Sequence, residues 1–408
     1  VAVAAACAPP APPAGAQPSA GAAAAPTPPE LYSIELPGPP ATQYETESAG
    51  GSPLDAVIAR RYPGISMSAC LERAARAHAA LPSGFEEHVP LAFTEFALHW
   101  AGCPDPTATL SVLLTDRSDT GALLDSLAPV LQGAGITHLG AAVSPAQPPY
   151  ATRWFVLLVS RRMSLLPVAT SAAPGDHVPL QFRLDRPYSR ATIAVTTPRG
   201  IVETIAVGVS QGWAVAGVTL ADEVGTQWIE LIGHGPAGPE VLALFPIEVG
   251  RPPGRLWIGR PPADESWVDS TDKAESLAAR LVADDRSRFG LTSLSWDPEL
   301  AAIARAHSAE MAEEGYFAHV SPRTGSVADR LHRAAYPASF AAENIAMSPR
   351  LGEAQESLMR SPGHRAAILS PEATHFGIGV VTRHDQTQGT VHHLTQLFVR
   401  REASADGG

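Results

Sequence analysis

Residues 295–322 read SWDPELAAIARAHSAEMAEEGYFAHVSP, a helix with both of its ends marked and a histidine just beyond its stop. Asp297 stands where an N-cap carboxylate would accept the first free backbone N–H groups. Pro298 suits the first helical position and Glu299 the positive end of the dipole. Gly315 supplies the C-terminal stop. Inside the helix, His307 shares a stripe with Leu300, Ile303 and Ala304, so it reads as a packing residue. His319 lies past the stop, beside Ser321 and Pro322, on the kind of loop where binding groups concentrate. The two histidines of this stretch therefore have different expectations attached to them.

Working outward, a second copy of the pattern stands earlier in the chain. "LERAARAHAALP" from Leu71 matches "LAAIARAHSAEM" from Leu300, and "THLGAAVS" from Thr137 matches "THFGIGVV" from Thr374. The paired histidines lie 60 residues apart in the first copy, 78 to 138, and 68 apart in the second, 307 to 375. Each glycine-bearing strand is followed by another apolar strand ending in an arginine pair, "VLLVSRR" and "TQLFVRR". The recurrence of helix, strand and strand in one order predicts a duplicated unit.

Between the copies the period changes to two. "VPLQFRL", "ATIAVTT", "VETIAVGV", "WAVAGVTL", "QWIELIGH" and "EVLALFPIEV" are short runs separated by Pro and Gly, which predicts a small β-sandwich of immunoglobulin-like type. The chain is thus expected to be an α+β multidomain protein. Its expected parts are a signal remnant and disordered Pro/Ala-rich tether over 1–50, an α/β unit over 51–166 and the sandwich over 167–251. An extended linker over 252–270, a second α/β unit over 271–401 and a tail over 402–408 complete it.

A chain of 408 residues is too long for one ordinary core, which agrees with several domains. The net charge of −12, with no run of Lys or Arg able to track a phosphate backbone, excludes nucleic acid as the expected partner. No uninterrupted apolar run reaches the roughly 18 to 20 residues a transmembrane helix needs. The first residues, "VAVAAACAPP", resemble the end of a secretory signal, with Cys7 placed as a candidate for lipidation. Cys70 and Cys103 lack metal-ligand spacing; in an exported protein they are candidates for a disulfide.

The second α/β unit carries further motifs: "AENIA" at Glu343, "RSPGHRAAIL" at His364, "THFGIGVV" and "LTQLF". Together with "FAHVSP" and in this order, they resemble the bacterial branch of the CAP superfamily, named for cysteine-rich secretory proteins, antigen 5 and pathogenesis-related 1 proteins. The resemblance covers about 285 to 400 and implies an α/β/α sandwich, with a degenerate CAP-like domain in the first copy. It also implies a surface cleft with His319, Glu343 and His364, and Ser321, Ser361, Asn344 and Gln396 about it. Ser361 stands where many relatives carry a second glutamate, a departure from the pattern.

Two imidazoles and a carboxylate are ligands suited to a divalent metal such as zinc. The expected function is therefore a secreted or envelope-anchored protein that binds metal, or a small apolar or glycan ligand, without turnover. Its expected partners are such a ligand or an envelope component, and any membrane attachment would run through a lipid at Cys7. The competing readings are a hydrolase of peptide or cell-wall material with Glu343 as candidate catalytic base, and an interaction scaffold whose cleft is vestigial. No HExxH or GxSxG motif supports the hydrolase.

Overall fold

The helix Pro298–Glu314 forms as its ends dictate. Asp297 Oδ1 accepts from Glu299 N at 2.9 Å and Leu300 N at 3.3 Å, Pro298 occupies the first turn, and Gly315 closes it at φ 69°. The computed structural model that shows this describes residues 31–46, 54–82, 85, 89–116, 120–133, 135–148, 150–385 and 389–401. Cys7, the predicted signal remnant and the tail over 402–408 lie outside the described residues.

Leu300, Ala301, Ala304 and Met311 turn the buried face of this helix onto the strands His375–Asp385 and Gly389–Arg401. The approach is close because the strand offers glycine. A Cβ on Gly377 would meet the backbone of Leu300 and Ala301 at 2.3 to 2.5 Å, and one on Gly379 would meet Arg305 N at 2.0 Å. The alternate residues Phe376, Ile378 and Val380 face the other way, into a core shared with the helices Thr271–Arg288, Leu351–Arg360 and Pro362–Ile368. The strand order is Ser295–Trp296, His375–Asp385, Gly389–Arg401, Ala338–Ser348, parallel in its first pair and antiparallel in the rest. Helices on both faces of this sheet make three layers.

The first α/β unit has the same plan. Its strands run Ser66–Met67, His138–Pro145, Thr152–Val159, Thr109–Thr115, again with only the first pair parallel. The helix Ala69–Ala79 lies over Gly140, whose Cβ would come within 2.1 Å of Leu71 carbonyl carbon. Even the sheet-end hydrogen bonds repeat: Thr137 N donates to Val159 O and Thr374 N to Val399 O, and each threonine hydroxyl lies 2.9 Å from Nδ1 of the next histidine. His78 and His307 thus sit in matching helices, and His138 and His375 in matching strands.

Two sheets form the middle unit. One runs Val209–Ser210, Trp213–Thr219, His177–Leu184, Met163–Leu165; the other runs Val202–Val207, Arg190–Thr196, Gly225–Gly235, Gly238–Val249, Ser171–Ala172. Phe182, Leu180, Ile193, Ile229 and Phe245 from both sheets fill one core, so they pack as a sandwich.

Three boundary expectations are corrected. Met163–Leu165 pairs with His177–Leu184, so the sandwich begins before residue 167. The tether is ordered in part: Tyr32–Glu35 pairs with Leu256–Gly259, inside the segment expected to be a bare linker. Gln43–Tyr44 pairs with Val168–Ala169, which sets Tyr44 into the sandwich core. The physical reason is a short period-two pattern within polar surroundings. Tyr32, Ile34 and Leu36 alternate, and they cover Trp257 and the helix Leu91–Ala101 at the core of the first unit. Hydrogen bonding to a distant strand satisfies backbone that composition alone marked as solvated.

Candidate functional site: a His, Glu and Arg cleft under the sandwich

Past Gly315 the chain is held from several directions. His307 Nε2–H donates to Ala318 O at 3.1 Å, Arg330 Nη1 donates to His319 O at 3.2 Å, and Val320 N donates to Ala237 O at 3.0 Å. The last bond comes from the turn between Gly225–Gly235 and Gly238–Val249, so the sandwich sits directly on the loop. His307 is buried in the core, as its stripe predicts, and it also fixes the carbonyl preceding His319.

His319 Nδ1–H donates to Glu343 Oε1 at 3.0 Å, and the other carboxylate oxygen accepts from Arg330 Nη2. Glu343 projects from the edge strand Ala338–Ser348, and Arg330 from the helix Val327–Arg333, whose start is fixed by reciprocal bonds between Ser326 and Asp329. Glu343 and Arg330 are almost wholly buried, at 3% and 5% side-chain exposure, while His319 keeps 19%. Burial alone would push the Glu343 carboxyl up. The His319 hydrogen bond and the Arg330 charge outweigh it and hold the group below the ordinary carboxylate range.

His364 is placed by the helix Pro362–Ile368, which Ser361 and Pro362 begin. Its carbonyl accepts from Asn344 Nδ2 at 3.1 Å, and Asn344 Nδ2 also donates to Gln396 Oε1 at 3.2 Å. Gln396 donates to Gln355, and Gln355 to Asp285, each at 2.8 Å. Asn344 and Gln396 are therefore buried behind the cleft, where they position the His364 backbone. Ser321 has a structural task as well. Its hydroxyl donates to Glu310 and accepts from Arg323 N and Thr324 N, so it holds the loop rather than lining the cleft.

Ser361 makes the contact that sequence did not foresee. Its hydroxyl donates to Glu230 Oε1 and lies 2.5 Å from His364 Nδ1, while Gly363 N donates to Glu230 Oε2 at 2.7 Å. Glu230 belongs to the sandwich strand Gly225–Gly235 and is completely buried. A carboxylate from another unit, 131 residues away, thus reaches Ser361. Burial pushes the Glu230 carboxyl up to about 7 despite these bonds. Burial, with His319 nearby, pushes His364 down to about 3 and keeps it neutral.

The expected metal site does not fit this arrangement. Among the described residues, the only three His, Cys, Asp or Glu donors within 4.8 Å of one another are those of Cys70, Cys103 and Asp105. Those sulfurs are bonded to each other, with Cα atoms 5.4 Å apart. His319, Glu343 and His364 do not close to that spacing, and both oxygens of Glu343 already have partners. Zinc needs its donors at about 2.0 to 2.3 Å from one ion, which this set does not provide.

Sequence reasoning missed Glu230 and Arg330. Arg330 gave no local sign of its role. For Glu230 there was a signal in "QWIELIGH": with Ile229 and Leu231 facing the sandwich core, Trp228 and Ile232 make the opposite face of the strand too apolar for water.

Residues 279–398 match the profile of the CAP, or cysteine-rich secretory protein, family. The chain is similar to the uncharacterized membrane protein YlbC of Bacillus subtilis (strain 168), with 35% identity over 149 residues, 36% of this chain and 40% of that protein. It is also similar to the uncharacterized protein YkwD of the same organism, with 36% identity over 113 residues, 28% of this chain and 44% of that one. The chain thus spans about two-fifths of the length of these curated relatives. Among solved structures, an extracellular protein containing an SCP domain from Bacillus anthracis str. Ames matches with TM-score 0.30 and 19% identity, covering 70% of this chain and 93% of that one. An outer surface protein from Borrelia burgdorferi matches with TM-score 0.29 and 18% identity, covering 33% of this chain and 96% of that one.

Proposed function

We propose that this chain, whose residues 279–398 form a CAP domain, is an extracytoplasmic protein that binds a small ligand in the cleft beside His319 and His364 without turning it over. The observation that carries this reading is the double engagement of Glu343. A general base must hold a lone pair toward substrate and accept a proton near the working pH. Glu343 instead faces His319 with one oxygen and Arg330 with the other, and its affinity for a proton is lowered. Ser361 is no better placed as a nucleophile, because it is buried and its proton goes to Glu230.

What the cleft offers a ligand is imidazole nitrogen. His319 and His364 each use Nδ1 within the protein, and among the described residues neither Nε2 has a hydrogen-bond partner. Export is supported by the buried Cys70–Cys103 disulfide, since such bridges persist in oxidising compartments. No helix of the described residues is long and apolar enough to cross a membrane.

The test is an assay of the purified full chain and Glu343→Gln against peptide and cell-wall substrates. Equal background rates are expected. Turnover present in the wild type and abolished by Glu343→Gln would replace this reading with the hydrolase.

A further inference from the structure

A single proton decides what His364 can bind. Above about pH 7, where its buried carboxyl is ionised, Glu230 only accepts: its Oε2 takes the Gly363 N–H and its Oε1 the Ser361 hydroxyl. Ser361 has one proton, and it points to Glu230. The 2.5 Å contact between Ser361 Oγ and His364 Nδ1 must then be made with a proton from the ring. His364 is thereby held as the Nδ1–H tautomer, and its Nε2 carries a lone pair.

We propose that Glu230, lent by the sandwich to the CAP cleft, is a positioning residue that fixes His364 as a hydrogen-bond acceptor, so that the composite site takes hydroxyl-bearing glycan ligands. The ligand class follows from the acceptors. His319 donates Nδ1–H to the accept-only Glu343, so in its neutral form its Nε2 is an acceptor as well. With His319 in that form, neither ring has a proton to offer a carboxylate or phosphate. A peptide N–H could donate to them, but each peptide unit also brings a carbonyl that needs a donor. A sugar hydroxyl turns its own proton to the ring and needs nothing else from it.

The unit interface is built for this contact. The helix Pro362–Ile368 lies on the strands Arg190–Thr196, Val202–Val207 and Gly225–Gly235. A Cβ at Gly363 would stand 2.9 Å from Glu230 Oε2, so a larger residue there would displace the carboxylate.

The inference rests on the binding reading for its ligand, but its tautomer claim is tested on the free protein. In the full chain labelled with nitrogen-15 histidine, at about pH 9 where Glu230 is ionised, His364 should show a protonated Nδ1 and a bare Nε2. In Glu230→Gln, the amide oxygen keeps the Gly363 bond and its NH2 points at Ser361. The serine proton is released to Nδ1, and the ring should switch to Nε2–H. A bare Nδ1 in the wild type, or an unchanged tautomer in folded Glu230→Gln, would overturn the proposal. Should that variant not fold, Ser361→Ala takes its place and should mix the two tautomers; a ring still held wholly as Nδ1–H overturns the relay.

The probe for the ligand is a soluble cello-oligosaccharide, whose polar groups are hydroxyl and ether oxygens alone. It should shift the His364 Nε2 resonance, and bind about tenfold more weakly to Glu230→Gln. A shift produced by a peptide and not by the oligosaccharide overturns the glycan assignment. Turnover in the assay described above would remove the binding reading while leaving the tautomer result standing.

Discussion

Glu343 and Arg330 form a pair that stabilises only as long as both are present. Taking two charges out of water is expensive, and the return depends on geometry and remaining hydrogen bonds. Here one carboxylate oxygen meets Arg330 and the other His319, while Arg330 also donates to the carbonyls of His319 and Gly325. Glu343→Ala would leave the guanidinium buried and unpaired, and should cost about 3 to 5 kcal/mol in urea unfolding. A loss under about 1 kcal/mol would show that solvent reaches the pair. The pH signs of the two buried glutamates are opposite. Glu343 has a folded pKa below its unfolded value of about 4.3, so its contribution is present above that pH and is lost as pH falls through the lower folded value. Glu230, raised to about 7, contributes fully below about pH 4.3 and loses that contribution as pH rises through about 7. The wild type should therefore lose on the order of 3 kcal/mol between about pH 4.5 and 8 relative to Glu230→Gln. Parallel stability curves for the two proteins would rule this out.

At the scale of elements, what was legible in the sequence is what local chemistry determines. The helix Pro298–Glu314 could be bounded from Asp297, Pro298 and Gly315, because caps act within a turn. The long strands of the sandwich could be read from period-two runs. The same locality explains the misses. Tyr32–Glu35 becomes a strand only through Leu256–Gly259, more than 200 residues on, and Glu230 becomes part of the cleft only when the helix after Ser361 docks on its strand. His319, Glu343 and His364 were named from motifs, yet the bonds that decide their chemistry come from Arg330 and Glu230. The glycines of the repeated strands mark the closest packing of helix on sheet. Gly377→Ala would drive a methyl into the backbone of Leu300 and Ala301, which no side-chain rotation relieves. It should cost about 1 to 3 kcal/mol, as overpacking does. Gly389→Ala makes a useful contrast, because its Cβ would have open space although its φ of 75° adds strain of its own. If thermal unfolding ranked Gly389→Ala as the more damaging of the two, the close approach would not be what selects glycine at 377.

Across the whole molecule, two α/β units with one strand order enclose a sandwich that touches both. The first unit meets the CAP domain through Glu95, whose carboxylate forms an ion pair with Arg360 and accepts from Ser357 Oγ at 2.9 Å. It meets the sandwich through His99, whose Nε2 lies 3.0 Å from Leu244 O. That unit lacks the cleft residues but carries the disulfide, which joins the helix Ala69–Ala79 to the loop leaving Leu91–Ala101 across 33 residues. Closing a loop of that length lowers the entropy of the unfolded chain by about 4 kcal/mol of free energy in the chain-entropy model. Beside it, Asp105 and Arg161 form a bidentate pair at 2.8 and 2.9 Å with 4% exposure each, and Arg161 Nη2 also reaches Cys70 Sγ at 3.3 Å. Reduction would free this corner of the first unit, yet among the described residues no cleft side chain bonds to it. Cys70→Ser with Cys103→Ser should therefore lower stability by about 2 to 5 kcal/mol while the His364 tautomer stays as in the wild type under conditions where the variant remains folded. A changed His364 signal in that folded variant would mean that the first unit sets the geometry of the cleft through the Glu95–Arg360 contact, one residue from Ser361, and that the sandwich does not hold Glu230 in place alone.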